Sequence, residues 1–351
     1  MKEQKCKSLL IGNGININFG GKAYSNQFII KRIIFNARAG KYDLLFNGKI
    51  SGEQIEEVFL NLAELANAIS RGECDSVVTT EEIPLLEDFK RRYSKKVEHY
   101  YDVGLEDWLF ILRIFFLKND DLKNIWRPVK YSFEQMMLDA IYNDGDIQKL
   151  YLSMGKPVKR WLEQYDEIFT LNYDNNVESL IKKPVFHLHG DYSTPANSEN
   201  PNTILGHQRT EAHQTVVVPG FEHCYCNALF DYRGENKLQV ADGFERGKES
   251  VKRLSDSGVP ASVFPAPAAG FVQTHREHPE LEIAPTYHFD EFRKLDGEIH
   301  IIGMSPNNDG HIFKLIDQST VDKVVFYFYS ESEKKQKLPL HQKVEYRSAP
   351  D

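Results

Sequence analysis

The chain has 351 residues, of which 41% are hydrophobic and 27% charged, and carries a formal net charge of -8. A chain of that length buries a core without disulfide staples, and its acidic balance argues against nucleic acid as a main partner, since phosphate binding draws on clustered Lys and Arg. No run approaches the ~18 apolar residues of a membrane span, and the apolar run near the N-terminus is too short for a secretory h-region. The four cysteines fit free thiols in a reducing compartment, so a cytoplasmic globular protein is expected.

In chain order, "SLLIGNG" at 8–14 is a compact apolar run ending in a glycine turn, the form of a buried strand leading into a loop. From about 51 to 165 the apolar spacing changes to three or four, in "SGEQIEEVFLNLAELANAIS", "LEDFKRRYSKKVEHYY", "GLEDWLFILRIFFL" and "SFEQMMLDAIYN". Ser51 with Gln54, and Ser132 with Gln135, have capping-box spacing. This third of the chain is expected to be a helical insertion. Strand-like runs return at 167–174 ("EIFTLNYD"), 185–191 ("VFHLHGD"), 298–305 ("EIHIIGMS") and 323–330 ("KVVFYFYS"). Their near-continuous apolar character suits strands covered by helices on both faces. Residues 195–285 are rich in Pro, Gly and polar side chains, with one helix expected at roughly 226–255. The whole, 1–351, predicts a single α/β domain: a Rossmann-like, mostly parallel sheet with a large helical insertion.

Each strand-like run ends in Gly, Asn, Asp or Ser, and ligands of open parallel sheets bind outside the carboxyl ends of the strands. Gly12 and Gly14 follow the first run, where small residues let backbone amides approach a phosphate, or simply make a tight turn. The third glycine of a dinucleotide fingerprint is replaced by Ile17. Asn13 and Asn16 offer amide donors and acceptors there for a pyrophosphate or ribose, or for a turn. Asn172 and Asp174, two apart at the end of the second run, suit ribose hydroxyls and stabilisation of positive charge, or an Asx turn. His187 and His189 share a strand face, which admits a metal pair, a catalytic base or packing. A metal would need further ligands; Cys224, Cys226 and nearby His223 make a single C-x-C without a second pair, so none is expected. Gly303, Ser305, Asn307, Asn308 and Asp309 follow the third run and suit either a nucleotide's ribose and phosphates or a turn.

Taken in order, "IGNGIN", "TLNYD", "HLHGD" and "IIGMSPNNDGHI" resemble the sirtuin-like domain of bacterial NAD-consuming antiphage proteins, including the related abortive-infection group with a G-N-G turn. The resemblance implies that Gly12, Asn13 and Gly14 cradle the NAD pyrophosphate and that Asn172 lies by the nicotinamide ribose with Asp174 as the accompanying acid. It also implies that His189, directly before Gly190, is the catalytic histidine, while His187 has no counterpart. Gly303 and Ser305, with Asp309 just beyond, match the element near the adenosine half. Asn16 stands where an acid or serine is common in the family. Protein-deacetylating sirtuins carry a zinc ribbon of two C-x-x-C pairs, and this chain has none.

The expectation is therefore an NAD glycohydrolase with catalytic Asn172, His189 and Asp174, releasing nicotinamide and ADP-ribose as the toxic effector of an antiphage system. NAD is its substrate. Since such an activity must be held in check, a separate sensor or activator subunit, or homo- or hetero-oligomer assembly, is expected to switch it on. The alternatives are a non-catalytic subunit that binds NAD or ADP-ribose, and an ADP-ribosyl transferase.

Overall fold

The computed structural model describes residues 6–212, 217–305, 308–335 and 337–349. Six strands form one parallel sheet in the order β3-β2-β1-β4-β5-β6. They are β1 (Lys7–Ile11), β2 (Glu167–Thr170), β3 (Phe186–His187), β4 (Asp296–Ile302), β5 (Thr320–Phe328) and β6 (Lys343–Ser348). From the central β1 the sheet grows to one side through β2 and β3 and to the other through β4, β5 and β6. The β1/β4 boundary is thus the switch point at which a doubly wound sheet opens its crevice. This is the Rossmann-like α/β architecture expected.

Between β1 and β2 lie α1 (Gly14–Gly20), α2 (Asn26–Arg38), α3 (Gly52–Ser70), α4 (Ile83–Arg92), α5 (Asp107–Lys118), α6 (Trp126–Tyr142) and α7 (Lys156–Leu162). A short α8 (Asn176–Ile181) joins β2 to β3. After β3 come α9 (Ile204–Ala212), α10 (Glu235–Asp256), α11 (Ala266–Glu277) and α12 (Phe289–Arg293), while α13 (Gly310–Gln318) and α14 (Glu331–Lys334) follow β4 and β5.

The apolar runs are continuous because both sheet faces are covered. Leu10, Phe169, Ile301 and Phe326 face one way, onto Phe292, Ile312 and Phe313 of α12 and α13. Their neighbours Leu9, Ile11, Ile168, Ile302 and Tyr327 face the other, onto Val158, Leu162, Val177 and Ile181 of α7 and α8. The helical layer has its own core, centred on Phe59, whose ring centroid lies 4.7 Å from that of Trp108 and 5.1 Å from that of Phe133. Each such fully buried side chain contributes roughly 1.5–3 kcal/mol. Among the described residues, no helix is long and apolar enough to cross a membrane.

Several boundaries differ from those expected. The helical layer begins at Gly14 rather than about 51, because α2 presents Ile29, Ile30, Ile33 and Ile34 to the insertion's core. The Ser51–Gln54 capping box forms, with Ser51 Oγ accepting from Gln54 N at 3.3 Å and Gln54 Oε1 accepting from Ser51 N at 2.8 Å. The second does not. Helix α6 starts six residues earlier, at Trp126, tolerating Pro128 in its first turn, and Ser132, now inside it, donates to Leu45 O at 2.7 Å. Among the described residues, 195–285 hold three α-helices rather than one, and α10 starts at Glu235 rather than near 226. The proline-rich "PAPAAGF" opens α11, where a proline in the first turn lacks only an N–H that would have no partner. Strand β6 carries Lys343, Glu345 and Arg347 and is half-exposed at the sheet edge, so no apolar run announced it.

Candidate functional site

The ends of β1 and β4 meet through glycine. Gly12 N donates to Ile302 O and Gly14 N to Gly303 O, both at 2.9 Å. A Cβ on Gly12 would sit 2.6 Å from Gly303 O, one on Gly14 2.5 Å from Gly303 Cα, and one on Gly303 2.7 Å from Gly12 O. Gly303 also has φ +73°, which L side chains rarely adopt. The sequence left two roles open for Gly12 and Gly14, approach of their amides to a phosphate or a tight turn; in the structure those two N–H groups donate to the end of β4. Their lack of side chains serves a backbone-on-backbone interlock at the switch point.

Above this interlock a cavity of about 430 Å³ opens at the carboxyl ends of the strands, within the usual range for small-molecule sites. Gly12, Asn13, Asn16, Asn172, Asp174, His189, Asn308 and Asp309 all line it. Gly14 and Gly303 support it from behind, and Ser305 closes the following turn by accepting Asn308 N at 3.1 Å and Asp309 N at 3.2 Å. Asn307 lies outside the described residues.

Asp174 is buried, and burial pushes its carboxyl above the ordinary value against the pull of its amide partners. It accepts from Asn16 Nδ2 and Asn176 Nδ2, each at 2.6 Å. It therefore ties α1 to the start of α8, and Asn16 Oδ1 is left buried without a partner among the described residues. Asn172 is held by its backbone: its N–H donates to Thr170 Oγ1 at 3.0 Å and its carbonyl accepts from His187 Nδ1 at 3.0 Å. Its side-chain Nδ2 reaches Gly12 O at 3.4 Å.

The two histidines separate by partner. His187 Nε2 lies 2.5 Å from Glu178 Oε1, so both ring nitrogens donate and the ring braces Asn172. Burial alone would lower its pKa, but Glu178 outweighs burial and the net shift is upward from 6.5. Because the folded value exceeds the unfolded one, this pair's stabilisation is full below about pH 6.5 and is lost as pH rises through the raised value. The stability difference between wild type and His187→Gln, from denaturant midpoints, is expected to shrink steadily as pH rises above 6.5; a difference independent of pH would refute the pairing.

His189 is buried, and its Nδ1 lies 3.3 Å from Lys237 Nζ while its Nε2 lies 3.3 Å from His311 Nε2. Burial, then Lys237, then His311, push its pKa well below 6.5. Lys237, fully buried on α10, also donates to Glu106 Oε1 at 2.5 Å. His311 is likewise held neutral, lowered to about 3 by burial and by Lys237 and Arg233. Asp309 is raised to about 7, first by burial and then by Glu106.

On the opposite wall Arg92 and Arg233 converge on Asp107. Arg92 Nη1 and Nη2 donate to the two Asp107 oxygens at 2.6 and 2.9 Å, Arg233 is ion-paired with the same carboxylate, and Tyr93 Oη donates to it at 2.5 Å. Asp88 faces Arg233 at 3.3 Å. Burial and neighbouring Arg92 lower the Arg233 pKa to about 10, which still leaves it charged at neutral pH. Arg92 Nε also donates to Asp88 at 2.9 Å, so both forks are matched by carboxylates and a phosphate or carboxylate ligand would meet them by exchange with Asp107 or Asp88.

Asn172, Asp174 and His189, grouped by the sequence, line the same cavity. The sequence missed Arg92, Arg233, Lys237 and Glu106, which sit in ordinary charged stretches with no motif spacing, and His311, which lies inside "NNDGHI". His223 and Cys224 turn away from the cavity, His223 Nε2 to Asp139 Oδ1 at 3.1 Å and Cys224 Sγ to Gln135 O at 3.3 Å. No group of three or more His, Cys, Asp or Glu among the described residues is arranged to hold a metal ion.

The class these features define is a doubly wound α/β protein with a polar cavity at its switch point, lined by carboxylates and by the paired arginines Arg92 and Arg233. No family model, curated protein or solved structure matches the chain.

Proposed function

We propose that the chain is an NAD glycohydrolase, the toxic effector of an antiphage system, that cleaves NAD to nicotinamide and ADP-ribose. The observation that carries this reading is the convergence of Asn172, His189 and Asp309 with the Arg92/Arg233 pair on one cavity at the strand ends. The resemblance of "TLNYD" and "HLHGD" to sirtuin-like NAD-consuming proteins supplies the substrate. In the reaction the C1′–N1 bond breaks, its electron pair passes to the pyridinium nitrogen, and nicotinamide leaves neutral. A water oxygen bonds C1′ and loses one proton. The leaving group is good, so positioning and charge stabilisation carry most of the rate. Asn172 holds the ribose, His189 donates to a ribose oxygen, Asp174 stabilises the developing cation, and Asp309, which lines the same cavity and whose carboxyl burial pushes up to about 7, takes the water's proton. Arg92 and Arg233 meet the phosphates by exchanging part of their pairing with Asp107 and Asp88.

Restraint of this activity is assigned to a separate activator subunit or to oligomer assembly. The test is incubation of the protein with NAD, alone and co-expressed with its genomic neighbours, following nicotinamide and ADP-ribose. NAD bound without any product under all these conditions would favour a non-catalytic NAD or ADP-ribose sensor, and an acceptor-dependent product a transferase. Arg233→Gln is expected to raise KM for NAD about tenfold with little change in kcat, since it removes an interaction made equally in ground and transition states; unchanged KM would remove Arg233 from the substrate site.

A further inference from the structure

A lysine ammonium has three donors and no acceptor. Lys237 Nζ lies 3.3 Å from His189 Nδ1 and is ion-paired with Glu106 at 2.5 Å. Nδ1 must therefore accept, and the proton of the neutral ring sits on Nε2. That N–H points to His311 Nε2 at 3.3 Å, which in turn places the His311 proton on Nδ1, a buried atom with no partner among the described residues. A ligand oxygen drawing on His189 Nε2–H would compete only with this long imidazole contact.

We propose that Lys237 is a positioning residue for His189: its ammonium, anchored on Glu106, takes up the Nδ1 lone pair and leaves the imidazole only an N–H, on Nε2, to offer a bound ribose oxygen. His189 then acts as a hydrogen-bond donor rather than as a base. The identity of the ligand rests on the hydrolase reading; the state of the ring does not. The groups that face His189 are Lys237 from α10 and His311 from α13, with Glu106 behind Lys237 and the Phe289 ring centroid 6.4 Å away. Because α10 belongs to the 195–285 segment, that segment is part of the site's machinery: any displacement of α10 withdraws Lys237 and changes what His189 can do.

The test uses the full chain with ¹⁵N-labelled histidine, as wild type, Lys237→Met and Lys237→Arg. In the wild type the His189 proton is expected on Nε2, with Nδ1 giving a hydrogen-bonded, unprotonated signal. In Lys237→Met that signal moves toward a free, unprotonated nitrogen and the titration midpoint of His189 rises toward the ordinary value. Lys237→Arg, which keeps a donor-only cation, restores the wild-type signal at least in part. A proton on Nδ1 in the wild type, or identical His189 spectra in wild type and Lys237→Met, overturns the proposal. With NAD, Lys237→Met is expected to lower kcat about tenfold or more and leave KM within about twofold, and unchanged kcat would also overturn it. If the wild type releases no nicotinamide under any condition, the hydrolase reading fails while the spectra still decide the role of Lys237.

Discussion

Asn172→Ala is expected to cut nicotinamide release by about 10²–10³-fold, the scale of losing one preorganised polar group at a reacting centre. The fold should survive. The backbone groups of Asn172, bonded to Thr170 Oγ1 and His187, are untouched by the truncation, and the side-chain hydrogen bond it removes is the long one to Gly12 O at 3.4 Å. The stability cost is therefore at most about 1 kcal/mol. His189→Ala should fall into the same activity range, since it removes the imidazole at the cavity wall that is proposed to donate to the ribose. Nicotinamide release from activated protein, measured beside thermal or denaturant unfolding, checks both. Turnover equal to wild type in either variant would exclude that residue from the chemistry.

Gly303→Ala should be among the most damaging small substitutions in the chain. Its Cβ would lie 2.7 Å from Gly12 O, 2.8 Å from Ile15 N and 2.9 Å from Gly14 N, at a φ of +73°. All three atoms are backbone, just past the end of the central strand and in the first turn of α1, so nothing flexible can yield. A loss of about 2–4 kcal/mol is expected, seen as a lower denaturant midpoint with unchanged slope. Gly310→Ala is the matched control, seven residues on, where a Cβ meets open space. Equal midpoints for the two variants would show that the interlock of β1 and β4 does not bear on stability.

The interlock also shows what can be deduced from a motif and what cannot. Gly12 and Gly14 are recognisable in "IGNG" as positions where a side chain is excluded, but the partner that excludes it is Gly303, some 290 residues away in sequence. The histidines are similar. Their spacing placed both at one strand end, whereas their partners, Glu178 for His187 and Lys237 with His311 for His189, came from three different helices. Edge strand β6 escaped notice because charged residues alternate along it, and Ser132 mimicked a cap because a helix start and a polar residue inside a helix have the same local spacing.

By itself the sequence determined the parallel α/β sheet, the helical insertion, and the strand endings at which Asn172, Asp174, His189 and Asp309 would gather. Those follow from hydrophobic period and run length, which are local properties, together with the rule that strand ends line the crevice. Only the tertiary structure decided which charges complete the site: the Arg92/Arg233 pair on Asp107, and Lys237 buried between Glu106 and His189. A buried charge is stable only when its partners meet it in space, and partners drawn from separate elements, 15 residues apart for Arg92 and Asp107 but 131 for Lys237 and Glu106, leave no period or spacing in the chain.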